Sequence, residues 1–363
     1  MPPSLLYRRA AVRDLAWLVL DGALPLPQHP SKLEPVRLQD TELAEFLDLL
    51  KRWDDDPHDD WLGPVDPRLR LGLYAERLFG SWLRQSRRIR LLAMNWPLRA
   101  NRITLGEADL LVQREGPGGT ALQLWELACK FYLGVPGSGW LGPELNDSLA
   151  AKMGRMGSHQ LQLIHHAGFR NAWPGSWSAC AWLSGWLLDP AAALLPAAPS
   201  PICARSGRPP SVWAQAGEDS VQIAEAHGRG LGVTSWWLLP KRRWLRPVFN
   251  DPAVDERFDT LGEAASRHTS PADHREKIDR TLRPMMLAGV RALTAAAIPG
   301  SAAGAGAQAG AGPFGTIEAP RAPQAEVMRV MLVPPGWAAR AAAWADCRTG
   351  RPLRPRLLDL ARR

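Results

Sequence analysis

Lysine is scarce in this sequence. Of 44 basic residues only six are lysine (Lys32, Lys51, Lys130, Lys152, Lys241 and Lys277), and the rest are arginine. GC-rich coding favours Arg, Ala, Gly, Pro and Trp together, so most of the arginine reflects that bias rather than function. Cysteine is sparse and scattered: Cys129, Cys180, Cys203 and Cys347 form no C-x-x-C pair. Zinc knuckles and a disulfide framework are thereby excluded, and a reducing, cytoplasmic setting is expected. Long apolar runs are missing too. The first one, Leu15 to Leu20, is flanked by Asp14 and Asp21 and is shorter than the roughly 7 to 15 residues of a secretory core. The most hydrophobic segment, Ala179 to Pro199, is broken by Asp189 and Pro190 before the roughly 18 residues a membrane helix needs, so no membrane partner is expected.

Among what is present, 46% hydrophobic and 22% charged residues over 363 positions describe a globular chain of one large or two ordinary domains. A formal charge of +8 and a pI near 9.8 favour an anionic partner, with nucleic acid the leading class. The patterning divides the chain into a helical N-terminal extension (1–66), an α/β core (67–250), a helical region (251–298), an Ala/Gly/Pro-rich insertion (299–323), and a C-terminal strand and basic tail (324–363). Short helices are expected at Val12–Leu20 and Thr41–Trp53, followed by a solvated acidic loop at Asp54–Asp60. That loop lacks the glycine and terminal glutamate of a calcium loop.

A strong helix is predicted from Arg68 to Gln85. Strands are predicted at Ile89–Met94, Ile103–Gln113 and Leu122–Lys130, with a helix at Ser148–His166 capped by Asn146 or Asp147. Further strands are predicted at Trp177–Leu188, Gly232–Leu239 and Val327–Val333, and a helix over Asp273–Ala297. Thirteen of the fifteen residues Pro299–Pro313 are Ala, Gly or Pro and read as flexible. No internal repeat is evident.

The chemistry concentrates in the first three elements of the core. Glu76 is centred in an apolar helical stripe with Leu69, Gly72, Leu73, Phe79, Gly80 and Leu83. A carboxylate in such surroundings needs a partner, a proton or a metal. In the second strand Glu107 and Asp109 share a face, and in the third Glu126 and Lys130 do, about 13 Å apart at about 3.3 Å per residue. Asp109, Glu126 and Glu76 are hard oxygen donors of the kind Mg²⁺ or Mn²⁺ prefers, and a lysine beside them suits phosphodiester hydrolysis. On the following helix Lys152, Arg155 and His159, with Gln160 adjacent, form a basic stripe expected to contact phosphate. The P-loop, G-x-S-x-G and H-E-x-x-H signatures are absent.

The ordered segments Leu71-Gly72-Leu73-Tyr74-Ala75-Glu76-Arg77-Leu78, Leu105-Gly106-Glu107-Ala108-Asp109-Leu110-Leu111 and Trp125-Glu126-Leu127-Ala128-Cys129-Lys130-Phe131-Tyr132-Leu133 resemble a bacterial family of unknown function assigned to the PD-(D/E)XK nuclease-like superfamily. The resemblance reaches from Val12-Arg13-Asp14-Leu15-Ala16-Trp17 to Trp236-Trp237 and Pro334-Pro335-Gly336-Trp337. It implies a restriction-endonuclease-like αβββαβ core, metal held by Asp109 and an acid on the next strand, and Lys130 completing the site; the catalytic set expected here is Glu76, Asp109, Glu126 and Lys130, with Glu76 as an auxiliary carboxylate. One departure matters. The acid expected two residues before the lysine is Ala128, with Glu126 the nearest acid on that face. Two functions therefore stand side by side: a Mg²⁺- or Mn²⁺-dependent nuclease acting on DNA or RNA, or a degenerate nuclease scaffold serving as a nucleic-acid-binding or protein-interaction module.

Overall fold

The computed structural model describes residues 6–24, 33–56, 58, 60–66, 68–100, 103–116, 119–195, 208–249, 256–269, 284–292 and 324–346. The Ala/Gly/Pro-rich segment Pro299–Pro313 and the Arg348–Arg363 tail lie outside them. The chain forms two compact units, one of Met1–Pro190 with Gly336–Arg363 and one of Ala191–Pro335.

The first unit is built on a mixed sheet. Strands β1 (Ile89–Ala100), β2 (Ile103–Gly116) and β3 (Gly119–Val135) run as an antiparallel meander, with the short β4 (Gly139–Leu141) paired to the end of β3. Strand β5 (Trp177–Pro190) lies parallel to β3, from Leu122↔Trp177 to Leu133↔Leu188. A parallel neighbour requires a crossover, supplied by helical chain from Leu149 to His165 and the short helix Ala167–Ala172. Ahead of the meander come α1 (Ala10–Ala16), α2 (Asp40–Asp55) and α3 (Leu71–Gln85).

Helix α3 buries Tyr74, Ala75, Leu78, Phe79, Trp82 and Leu83. Phe79 and Trp82 pack on Trp182 of β5, which also meets Trp125 of β3. A Cβ at Gly80 would sit 2.6 Å from Met94 Sδ, so glycine there permits the close approach of α3 to β1. Asp54, expected in a solvated loop, instead belongs to the last turn of α2. Its carboxylate accepts the Arg8 and Arg9 backbone N–H groups, each at 2.7 Å, and so caps the start of α1. A buried ion pair fixes α2 to the sheet: Arg114 Nε donates to Glu42 Oε1 at 2.8 Å and a second nitrogen donates to Oε2. The same guanidinium reaches Gln123 and the Arg37 carbonyl and lies over Trp125.

The second unit carries its own sheet. Strands β6 (Ser211–Gln215), β7 (Ser235–Leu239), β8 (Glu256–Phe258), β9 (Met285–Ala292) and β10 (Gln324–Val333) stand in the order β6-β10-β9-β7-β8, with only β10 and β6 parallel. Helices lie at Asp219–Gly230 and Leu261–Thr269, and their Val221, Ala224, Leu261 and Ala264 join Val212, Trp236, Leu287 and Val330 in one core. Arg329, fully buried, is paired with Glu326 at 2.7 Å and donates to the Trp244 and Arg246 carbonyls.

The helix expected over Asp273–Ala297 is corrected here: Met285–Ala292 is a strand, and 270–283 and 293–297 lie outside the described residues. Its Met, Leu and Ala content favours helix locally. Five consecutive buried residues, Met286–Val290, nevertheless fit a strand covered on both faces, which periodicity alone does not separate from a buried helix.

Gly185 sets the β3–β5 contact. It has φ +142°, and a Cβ there would fall 1.6 Å from the Lys130 carbonyl oxygen. Gly185→Ala should therefore break the ladder beside Lys130 and cost about 3 kcal/mol or more, measured by urea unfolding against the parent chain.

Candidate functional site

The β2–β3 ladder ends at Leu110↔Trp125, although β2 continues against β1 and β3 continues against β5. Where the two strands part, Asp109 and Glu126 are the next residues in register. Both are on the face opposite Trp125, whose ring turns toward α3. The Leu127 N–H lacks a backbone partner across the gap and donates instead to Asp109 Oδ2 at 2.8 Å.

Glu126 is 1% exposed. Its Oε1 accepts Gln160 Nε2 and stands 3.7 Å from Lys152 Nζ, which in turn donates to Gln160 Oε1 at 3.0 Å. Among the described residues no N–H or O–H reaches Glu126 Oε2. That oxygen belongs to a carboxyl that donates to Asp109 when protonated.

Helix α4 (Leu149–Arg155) carries Lys152 and is capped by the Ser148 hydroxyl, rather than by Asn146 or Asp147. It runs into a π-helical turn at Met156–Gln160 and then a 3₁₀ turn at Leu161–His165. Lys152 and Arg155 precede the π turn in α4, and the turn shifts only the last member of the expected basic stripe, His159. Lys152 turns to the carboxyls, Arg155 is exposed, and His159 Nε2 lies 3.0 Å from the Leu105 carbonyl of β2. Such turns recur at functional sites.

Glu76 lies half-buried on α3 and accepts Asn95 Nδ2 at 3.4 Å. Asn95 falls on β1 between the pairs Met94↔Leu110 and Trp96↔Ala108, abreast of Asp109. Its φ of +51° is a left-handed conformation that Asn tolerates better than most residues. Glu107 is exposed on the Asp109 face of β2. Lys130 does not join the carboxyls: its ammonium donates to Asp147 Oδ2 at 2.9 Å.

Burial is the largest influence on every titrating group here. It lifts Glu126 from 4.5 to about 9, with the Asp109 charge adding to it. It also raises Asp109, opposed by the Leu127 N–H and by Lys152. Glu76 rises to about 7 through burial and the Asp109 charge, opposed by the Asn95 amide. Burial lowers Lys152, while Glu126 and Asp109 pull it back. Asp109 and Glu126 thus behave as a proton-sharing pair flanked by one ammonium.

A cleft of about 300 Å³ opens beside this pair, lined by Glu76, Gly72, Leu73 and Arg70 of α3 and its approach, by Leu127–Lys130, and by Lys152 and Trp182. Lys152 reaches from the cleft back to Glu126, which does not itself line it.

Among the described residues no group of three or more His, Cys, Asp or Glu is arranged to hold a metal ion. The expected third ligand, Glu76, stands apart from the pair. Asp109 and Glu126 are hard oxygen donors within hydrogen-bonding reach of each other, and a divalent cation held by both would take the place of their shared proton.

Asn95 and Asp147 escaped the sequence reading of function, and Gln160 entered it only as the neighbour of the basic stripe. Asn95 is hidden in the apolar run Leu91–Trp96, where its only signal is a polar residue between Met94 and Trp96.

The chain is a mixed α/β protein, and no helix among its described residues is long and apolar enough to cross a membrane. It belongs to the DUF1853 family, a domain of unknown function whose family model matches residues 13–300. No curated protein and no solved structure matches it.

Because Glu126 and Asp109 bind protons more tightly folded than unfolded, the native state holds the extra proton between roughly pH 4.5 and 9. Stability therefore falls as pH rises through that window. Glu126→Gln imitates the protonated carboxyl. Without divalent cations its melting temperature should fall less than the parent's toward pH 9, and equal slopes would count against the shared proton.

Proposed function

We propose that this protein is a metal-dependent, nuclease-like hydrolase of phosphodiester bonds in DNA or RNA. The observation that carries this reading is the convergence of Asp109, Glu126 and Lys152 where β2 and β3 part, with Lys152 and Glu76 both lining the adjoining cleft. The element order α3-β1-β2-β3-α4-β5 supports a restriction-endonuclease-like αβββαβ core of the PD-(D/E)XK superfamily.

In this reading Asp109 and Glu126 would hold Mg²⁺ or Mn²⁺, which supplies an activated water and neutralises the scissile phosphate. Lys152, its ammonium already poised by two carboxyls, steadies charge developing on the phosphate oxygens. Glu76, titrating near 7 and oriented by the Asn95 amide, is suited to accept a proton from the attacking water at neutral pH. Lys130, partly exposed in the cleft, takes a neighbouring phosphate in exchange for Asp147. Arg155 extends the same contact at the surface.

Purified protein should cut DNA or RNA in Mg²⁺ or Mn²⁺, and Asp109→Ala, Glu126→Ala and Lys152→Ala should each lower the rate about 100-fold or more. Activity surviving all three substitutions would remove the reading.

Ala128 and the enclosure of Glu126 by Lys152 and Gln160 favour a second reading, a catalytically degenerate scaffold that binds nucleic acid. Its signature is salt-sensitive binding without cleavage under any divalent ion.

A further inference from the structure

We propose that the cleft beside Glu76 receives an unstacked nucleotide, so that the ligand is a single strand or a frayed end of nucleic acid rather than an intact duplex. This rests on the phosphodiester reading above and adds the form of the substrate.

The lining of the cleft divides by chemistry. Leu73, Phe79 and Trp182 make an apolar wall, whereas Arg70, Lys130 and Lys152 bring positive charge to the same cavity. Lys130 is shared with Asp147 and Lys152 with Glu126, and Glu76 is the one carboxylate among the described residues of the lining. Phosphate alone has no use for an apolar recess, and a purely apolar ligand has none for three cations. A nucleotide presents both surfaces, a flat π-face and an anionic linkage next to it, which is how grooves for single strands are built. Size agrees. About 300 Å³ lies at the small end of ligand cavities and leaves room for a group of nucleotide dimensions rather than for a stacked helix.

Access agrees as well. Gly72 carries no side chain, and nothing lies within 4 Å of the place its Cβ would occupy. Leu73 is 46% exposed, a large apolar side chain left at the mouth. Inside, the Trp182 indole N–H is spent on the Leu18 carbonyl at 3.2 Å, so its polar edge is already satisfied within the protein. The bases of an intact duplex are stacked and paired, and filling the recess would require extruding one of them at a cost in unstacking and unpairing. A single strand or a frayed end avoids that cost.

Fluorescence anisotropy without divalent cations tests this on the full chain, using one labelled oligodeoxynucleotide as a single strand, as a blunt duplex and with abasic positions. The single strand should bind at least about 10-fold more tightly than either of the other two. Gly72→Trp fills the mouth and should erase that preference while leaving the thermal melt intact; Leu73→Asp should weaken the single strand by charge if the bulkier change disturbs folding. Equal or tighter binding of the duplex or the abasic strand, or a preference unmoved by both substitutions, overturns the inference. Cleavage separates it from the reading it rests on. Asp109-dependent cutting of duplex at the single-strand rate sinks this inference alone, and single-strand preference without cutting under Mg²⁺ or Mn²⁺ sinks hydrolysis alone.

Discussion

Two carboxyls meet in a place from which water is largely excluded, and the arrangement around them follows from that. Asp109 and Glu126 cannot both be charged there without compensation. Lys152 brings an opposite charge, Gln160 bonds both Glu126 and Lys152, and the Leu127 amide spends its proton on Asp109. Each of these partners comes from a different local structure: a helix, a π turn, and a strand leaving its neighbour. The pair therefore couples the parting of the strands to the course of the following helix.

Charge near the pair is layered rather than uniform. Glu76 feels the Asp109 charge without sharing its ligands, and Asn95 tempers the resulting rise. Lys130 is held by Asp147, one step removed. Buried ion pairs elsewhere look different. Arg114 with Glu42 and Arg329 with Glu326 have their donors met by carbonyls and side chains. They hold elements together, whereas the Asp109–Glu126 pair keeps an oxygen without a donor.

Much of the first unit was legible in the sequence because its signals were local. Alternation marked β2 and β3 and placed Glu107 and Asp109 on one face, and the apolar stripe found α3. The identity of the lysine beside the carboxyls was not legible. Alternation puts Lys130 on the Glu126 face, but strand rise carries its ammonium toward Asp147, while the crossover helix brings back Lys152 from 26 positions along the chain. Spacing rules written for an α-helix gave Lys152, Arg155 and His159 a common stripe; within α4 Lys152 turns to Glu126 while Arg155 stays exposed, and the π turn sends His159 to the Leu105 carbonyl. In the second unit β9 was misread because an apolar segment covered on both sides has no telling period.

The π turn at Met156–Gln160 also makes the site sensitive to chain length. One residue more than an α-helical turn rotates everything beyond it by roughly 100°, which is what aims Gln160 back at Glu126 and Lys152. Losing a single residue there would leave the helix intact and both sheets untouched, yet would turn that amide away and leave the shared proton with one neighbour fewer. The support of the pair thus depends on the phase of one helical turn as much as on the acids themselves.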